Sequence, residues 1–201
     1  FAPTISTQYS TSTIGGSGYF DGSGDYLTVA NSSNLYLTTD FTIEMWVNVP
    51  NTSAQYPLVQ YRNGGTWTSG NFQLWINSGG YVFWDVPSGP QFTTSGTVTP
   101  NAWTHIAVTR QSGTIRGYIN GVYQTSVSDS TSFNSSGANE NFFYNFDGSS
   151  SKYFPGYSTD VRINTTTALY TGASNFTPPA SPLTAVSGTA LLLSMTNGAI
   201  Y

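Results

Sequence analysis

The stretch FTIEMWVNV, residues 41–49, places an apolar side chain at every odd position. Successive side chains of a β-strand point to opposite faces, so Phe41, Ile43 and Met45 share one face with the two valines that follow. A run of nine residues with this period of two predicts a long strand with one buried side.

The same alternation recurs along most of the chain. Asn120-Gly121 lies between two β-rich runs, which is a strong hairpin signal because both residue types tolerate a positive φ. Ten or more short strands exceed one flat sheet and predict an all-β, antiparallel β-sandwich of two packed sheets. Helical periodicity is nearly absent, and at most residues 166–170 form one short helical turn. The further predicted strands are Tyr26–Val29, Leu58–Tyr61, Phe72–Ile76, Tyr81–Val86, Trp103–Arg110, Ile115–Ile119, Val122–Val127, Asn141–Phe146, Val161–Ile163 and Leu191–Met195.

The composition fits one domain over residues 1–201, a length that single β-sandwiches reach. Aromatic residues make up 15% of the chain and supply large side chains for a core. Charged residues make up only 7%, against about 25% in an average soluble domain. The surface is therefore expected to be hydrated mainly by hydroxyl and amide groups.

The charges and apolar runs also exclude several classes of partner. Five basic residues stand singly in a chain of net charge −4, so nucleic acid is not expected to bind. No apolar run approaches the ~18 residues of a membrane span, so no membrane insertion is expected. The chain begins at Phe1 without a methionine, which suggests a piece of a larger chain or assembly.

Four segments together resemble a known family in their order and spacing. They are Tyr19–Leu27, Phe41–Val47, Trp103–Arg110 and Gly117–Gly121, and they are similar to the laminin-G-like jelly roll of the concanavalin A-like lectin and glucanase superfamily. The resemblance implies a jelly-roll fold, whereas a fold by itself does not identify a ligand.

A later run resembles a variant of this domain found in structural and fibre proteins of bacteriophages. It extends from Val161–Ile163 through Ala168–Gly172 to Phe176–Pro179. This resemblance implies a virion or extracellular location, an oligomeric or repeated arrangement, and either attachment to cell-surface glycans or contact with other protein chains of a virion.

Residues for catalysis are sparse. A retaining glucanase of the superfamily needs two carboxylates about 5 Å apart, usually at alternate positions of one strand. The only glutamates, Glu44 and Glu140, have no acidic neighbour two or four residues away. The only histidine, His105, is more simply explained as a hydrogen-bonded residue of the sandwich than as a general base. We therefore expect no enzyme, and glycoside hydrolase ranks third among the functions.

A glycan site needs an exposed aromatic face beside amide, carboxylate or hydroxyl groups. Trp67 lies in a loop rich in glycine and serine, from which it cannot easily reach a core. On the next strand Trp75 lies on the face opposite the aliphatic residues, although it could equally meet a neighbouring subunit or the second sheet. The candidate ligand-binding residues are Trp67, Trp75, Tyr61, Asn63, Gln73 and Asn77.

A structural Ca²⁺ is a further hypothesis, because this ion takes six to eight oxygen ligands and jelly-roll rims can supply them. Asp21 and Asp25 flank a glycine-rich turn, and Asp160 precedes a late strand and could join them. The alternative is that these aspartates only stabilise their turn.

Two functions from different classes remain. One is a non-catalytic, carbohydrate-binding adhesion module. The other is a structural or decoration subunit whose outward aromatic residues contact other protein chains. They differ in whether the aromatic residues around Trp67 and Trp75 are exposed in the native assembly or buried by another chain.

Overall fold

The computed structural model describes residues 16–62, 66–87, 92–134 and 137–195. Among these residues no helix is long and apolar enough to cross a membrane. The strands are β1 (Gly18–Asp21), β2 (Leu27–Val29), β3 (Phe41–Asn48), β4 (Tyr56–Arg62), β5 (Phe72–Ile76), β6 (Tyr81–Asp85), β7 (Phe92–Thr97), β8 (Thr104–Gln111), β9 (Thr114–Ile119), β10 (Val122–Ser128), β11 (Asn139–Phe142), β12 (Tyr144–Phe146), β13 (Ser151–Tyr153), β14 (Pro155–Asn164) and β15 (Thr189–Leu193), with one 3-10 turn at Ser33–Leu35.

Two antiparallel sheets form the sandwich. A seven-stranded sheet has the order β1-β14-β3-β8-β9-β10, with β15 also paired to β14. A six-stranded sheet has the order β2-β11-β4-β5-β6-β7, and β12 and β13 form a separate hairpin. The predicted all-β sandwich of two packed sheets is confirmed.

The space between the sheets is filled mainly by aromatic rings. Phe72 of β5 stacks on Trp84 of β6 at a centroid distance of 4.8 Å, and both contact Phe133. Trp84 also stacks on Phe41 of the opposite sheet at 6.0 Å. Truncating one such ring costs about 3–5 kcal/mol, so these contacts fix how the two sheets face each other.

Strand β3 differs from its prediction in one respect. Ile43, Met45 and Val47 do point into the core, but all eight residues of the strand are buried. The outer face of the strand, with Glu44 and Trp46, is therefore also covered.

The cover is residues 165–188, which we call the covering segment. It crosses the outer face of the seven-stranded sheet, where Thr42 Oγ1 donates to the Thr167 carbonyl at 2.9 Å and the Tyr118 hydroxyl donates to the Gly172 carbonyl at 2.6 Å. The Tyr170 and Phe176 rings of the segment stack at 3.6 Å. The helical turn predicted for residues 166–170 is wrong, because this backbone bonds to the sheet and not to itself.

The Asn120-Gly121 hairpin joins β9 to β10 as predicted. Both residues have positive φ, 50° and 74°, as a tight turn between twisted strands requires. A Cβ at Gly121 would also collide with the Phe176 carbonyl of the covering segment. Glycine is therefore needed here for two separate reasons.

The strand predicted over residues 141–146 is in fact two strands. Phe143 adopts a φ of 67°, so the chain turns between β11 in the six-stranded sheet and the hairpin strand β12. The Phe143 ring is fully buried against Phe20 and Phe154, and this burial offsets the cost of the unusual backbone angle.

Candidate functional site

A groove with a volume of about 330 Å³ opens on the outer face of the six-stranded sheet. Strands β5 and β6 form its floor, the β12–β13 hairpin forms one wall, and Trp67 forms the other. Its lining residues are Gln55, Pro57, Arg62, Trp67, Gln73, Leu74, Trp75, Asp85, Asn145, Asp147 and Lys152.

The strand register builds the floor. Gln73 of β5 pairs with Asp85 of β6, and Trp75 pairs with Phe83 one step along the same face. The Trp75 and Phe83 rings are 4.9 Å apart, and this contact holds the indole. No acceptor among the described residues bonds Trp75 Nε1. The Nε1 atom itself is buried, so what the floor offers is an aromatic ring next to an amide and a carboxylate.

One wall is held over β4 by Gln60. Its Nε2 donates to the Phe146 carbonyl at 3.0 Å, and its Oε1 accepts from the Phe146 N–H at 3.2 Å. This reciprocal pair fixes the β12–β13 hairpin on the outer face of the sheet, where Asn145 and its cross-strand partner Lys152 line the groove.

The opposite wall is ordered by Arg62. Its guanidinium lies 4.8 Å from the centre of the Trp67 ring, and its Nε donates to the Thr66 carbonyl at 3.1 Å. Its Nη2 donates to the Asp147 carbonyl at 3.3 Å, so the same side chain ties the two walls together. Burial lowers the pKa of Arg62, while the charges of Asp147 and Asp85 oppose that shift.

The two groove carboxylates differ in their surroundings. Asp147 accepts hydrogen bonds from the backbone N–H groups of Ser149 and Ser150 and from both serine hydroxyls. These bonds hold the pKa of Asp147 far below its usual range. A glycosidase acid needs a raised pKa, so Asp147 is unsuited to proton donation. Asp85 interacts electrostatically with Arg62 on the floor.

The structure brings together only some of the residues expected to bind a ligand. Trp67, Trp75 and Gln73 line the groove. Tyr61 does not join them, because its ring points into the core, only 2% exposed, and its hydroxyl accepts from Asn31 Nδ2. Asn77 lies in the turn before β6, where its Oδ1 accepts from the Tyr81 N–H at 3.0 Å. The expected residue Asn63 lies outside the described residues.

Other groove residues had not been singled out from the sequence. The sequence could have indicated Asp85, because alternation along β6 points its side chain away from the face of the buried Trp84. In the structure Asp85 lies opposite Gln73. Asn145, Asp147 and Lys152 reach the groove only because a separate hairpin folds back over β4. No local sequence pattern predicts that packing.

The outer face of the seven-stranded sheet carries a second cluster of polar groups, which is buried. Glu44 accepts from Arg162 Nε at 2.9 Å and Nη2 at 2.5 Å, and from the Tyr170 hydroxyl at 2.7 Å. Its other contact is His105 Nε2 at 3.1 Å. Glu44 and His105 are fully buried. His105 is thus a hydrogen-bonded residue of the sandwich, as expected.

The charge state of this cluster follows from its partners. Burial alone would raise the pKa of Glu44, but the hydrogen bond and charge of His105, with the charge of Arg162 and the Tyr170 hydroxyl, lower it overall. Burial and the nearby Glu44 carboxylate raise the pKa of Tyr170, so its hydroxyl remains a donor. Because Glu44, His105 and Arg162 are all buried, the arrangement is structural.

The three aspartates suggested for calcium do not converge. Asp21 Oδ1 accepts from the Ser23 N–H at 2.6 Å, and Asp25 Oδ2 accepts from the Asp21 N–H at 3.2 Å, so both stabilise the turn after β1. Asp160 is fully buried in β14 and accepts from the Leu183 N–H at 3.3 Å. Among the described residues no three acidic or histidine side chains form a metal-binding group, so Asp160 does not join the turn.

Several solved structures share the fold. A protein of Bacteroides ovatus described as a candidate carbohydrate-binding protein superposes with a TM-score of 0.70 at 17% identity, over 90% of this chain and 52% of its own. The carbohydrate-binding module CBM40 of a Ruminococcus gnavus IT-sialidase, bound to α2,3-sialyllactose, gives 0.55 at 12% identity, over 70% and 84%. Domains LG4-5 of the mouse laminin α1 chain give 0.56 at 16% identity, over 78% and 44%.

The chain spans about half the length of the Bacteroides protein. No curated protein sequence matches it significantly. A sequence profile described as the concanavalin A-like lectin/glucanases superfamily, of laminin G type, matches residues 21–169, which cover most of the described strands. The chain therefore belongs to the concanavalin A-like lectin/glucanases superfamily.

Proposed function

We propose that this domain is a non-catalytic glycan-binding module and that its ligand occupies the groove between Trp67 and the β12–β13 hairpin. One observation carries the proposal. The groove floor places the half-buried Trp75 ring beside Gln73 and Asp85, which supplies an apolar surface and hydroxyl-binding groups together. Sugars have apolar CH faces and polar edges, and this combination suits both.

The fold relatives support the same class of function. One is described as a candidate carbohydrate-binding protein, and another is a carbohydrate-binding module with sialyllactose bound. The electrostatics argue against hydrolysis, because the pKa of Asp147 is lowered and Asp85 interacts with a cation. Binding without bond cleavage is what the groove residues favour.

The experiment is a glycan-array screen of the wild type beside Trp75→Ala and Trp67→Ala. The matched control is Tyr81→Ala, which removes an exposed ring on β6 outside the groove lining. Binding that both groove variants lose and the control keeps supports the proposal. A folded wild type that binds no glycan on the array contradicts it.

We further propose that the domain acts outside cells, on a virion or another extracellular surface, as part of a repeated or oligomeric assembly. The resemblance of residues 161–179 to a domain of bacteriophage structural proteins supports this context.

We also propose that a Ca²⁺ ion binds at the Asp21–Asp25 turn. A bound Ca²⁺ ion predicts that the domain melts at a lower temperature in the chelator EDTA. An unchanged melting temperature in EDTA would contradict this proposal.

A second candidate function is assembly with other protein chains. Tyr19, which is mostly exposed, packs on Tyr157 at 5.0 Å, and Tyr157 in turn contacts the buried Trp46 and Trp103. An exposed ring on a rigid aromatic base suits a protein contact. Light scattering tests this candidate, since assembly through this surface predicts an oligomer that Tyr19→Ala dissociates. A monomeric wild type at all concentrations argues against self-assembly here.

A further inference from the structure

We infer that the groove selects uncharged saccharides and discriminates against sialylated or sulfated ones. This inference rests on the proposed glycan-binding function and names the class of ligand. It follows from how the charges of the groove are already satisfied.

The first step concerns the cations. An anionic sugar needs an available guanidinium or ammonium group to replace the water around its carboxylate or sulfate. Arg62 is 8% exposed, donates to the carbonyls of Thr66 and Asp147, and is stacked on Trp67. Its guanidinium is committed to holding the two walls together.

The second cation, Lys152, is paired across the hairpin. Its Nζ lies 3.3 Å from Asp147 Oδ2, and both side chains are partly exposed. The serine hydrogen bonds keep Asp147 ionised, because they favour its charged form. Lys152 therefore faces a permanent carboxylate, not an open position for a ligand anion.

The third step is the charge balance. Arg62 and Lys152 contribute two positive charges to the groove lining, and Asp85 and Asp147 contribute two negative ones. The formal sum is zero. An acidic sugar would bring a further anion close to Asp85 and Asp147 with no uncommitted cation to offset it, and like charges in a partly buried site repel.

A neutral sugar meets no such obstacle. Its hydroxyls can donate to the carboxylate of Asp85 and exchange hydrogen bonds with the amides of Gln73 and Asn145, while its CH face packs on Trp75. These contacts are short-range, so salt should affect the affinity little.

The experiment measures affinities for matched pairs of immobilised oligosaccharides that differ only by a sialic acid or a sulfate. The proteins are the wild type, Asp85→Asn, and the control Asp40→Asn. Asp40 lies outside the groove lining and accepts from the Ser112 N–H. We expect the wild type and control to bind the neutral member at least tenfold more tightly. Asp85→Asn should narrow that ratio several-fold, because it removes one repelling charge.

Three results count against the inference in different ways. If the wild type binds acidic members as tightly as neutral ones and Trp75→Ala loses both, the glycan-binding function stands and the selectivity is wrong. If a folded wild type binds neither class, the proposed function fails and this inference fails with it. An equal narrowing in Asp85→Asn and Asp40→Asn would contradict a local role for Asp85.

Discussion

The outer faces of the two sheets carry similar residues but differ in what covers them. On the seven-stranded sheet, Glu44 and His105 lie beneath the covering segment, and the strong partners of Glu44 are other side chains. On the six-stranded sheet, Trp75 and Asp85 lie beside a short hairpin that leaves a groove of about 330 Å³. Polar and aromatic groups on a sheet are therefore structural under one cover and available to a ligand under the other.

The largest expected effect lies on the closed face. Glu44→Gln leaves Arg162 with a buried charge and a weaker acceptor, so the free energy of unfolding should fall by about 3–5 kcal/mol. Urea denaturation measures it. The double variant Glu44→Met, Arg162→Met should recover part of the loss, because it removes both charges. A loss below about 1 kcal/mol for Glu44→Gln would show that the cluster is not a structural unit.

The second effect concerns a buried carboxyl without partners. Glu140 is 1% exposed, neither of its oxygens has a hydrogen-bond partner among the described residues, and burial raises its pKa from 4.5 to about 8. The folded state then holds a proton that the unfolded state has lost, so stability falls as the pH rises from about 4.5 to about 8.

Glu140→Gln removes that dependence. Since each pKa unit corresponds to about 1.4 kcal/mol and the pKa rises from 4.5 to about 8, the variant should be more stable than the wild type by up to about 5 kcal/mol at pH 9 and similar to it at pH 4. Thermal unfolding across this range provides the comparison. The stability that Glu44 contributes depends on pH in the opposite direction. Because the pKa of Glu44 is lowered, this stability is lost as the pH falls below about 4.5. Parallel pH profiles for Glu140→Gln and the wild type would contradict the assignment.

The third effect lies in the groove. Trp75→Ala should weaken glycan binding by at least tenfold, because it removes the aromatic ring of the groove floor. Titration calorimetry with the best ligand of the array measures this loss. The matched control is Tyr81→Ala, which removes an exposed ring on the next strand, outside the groove lining. The affinity of this variant for the glycan should not change. An equal loss in both variants would place the ligand elsewhere.

The smallest effect is on the hairpin wall. Lys152→Ala breaks an ion pair whose two side chains are about one third exposed, so stability should change by less than about 1 kcal/mol. The neutral-glycan affinity should change by no more than a few-fold. A large loss of stability by urea denaturation would mean that the hairpin depends on this pair more than on Gln60.

The fold could be predicted from the sequence because its signals are local. Alternation located β3, β5 and β8, and Asn120-Gly121 located a hairpin. Prediction was wrong where long-range packing decides the backbone, as at Phe143, whose positive φ follows from the burial of its ring.

The candidate site was predictable only in its floor. Trp75 and Gln73 follow from the side of β5 that alternation assigns to the outside, and Trp67 from its polar loop. The same argument misplaced Tyr61, because only the sheet geometry shows that its ring enters the core. Asp147 and Lys152 could not be predicted from local patterns. They belong to a hairpin that packs against strand β4 more than 80 residues earlier in the chain, as its bonds to Gln60 and Arg62 show.

The central claim is that the open face binds glycans and the closed face supports the fold. Its most direct test is titration of the best array glycan against the wild type, Gln73→Ala with Trp75→Ala, and Tyr170→Phe, which removes one bond to Glu44. The account predicts that the groove variant loses binding and keeps its melting temperature within a few degrees, while Tyr170→Phe melts lower and binds normally. Full affinity in the groove variant, or lost affinity in a folded Tyr170→Phe, would contradict it.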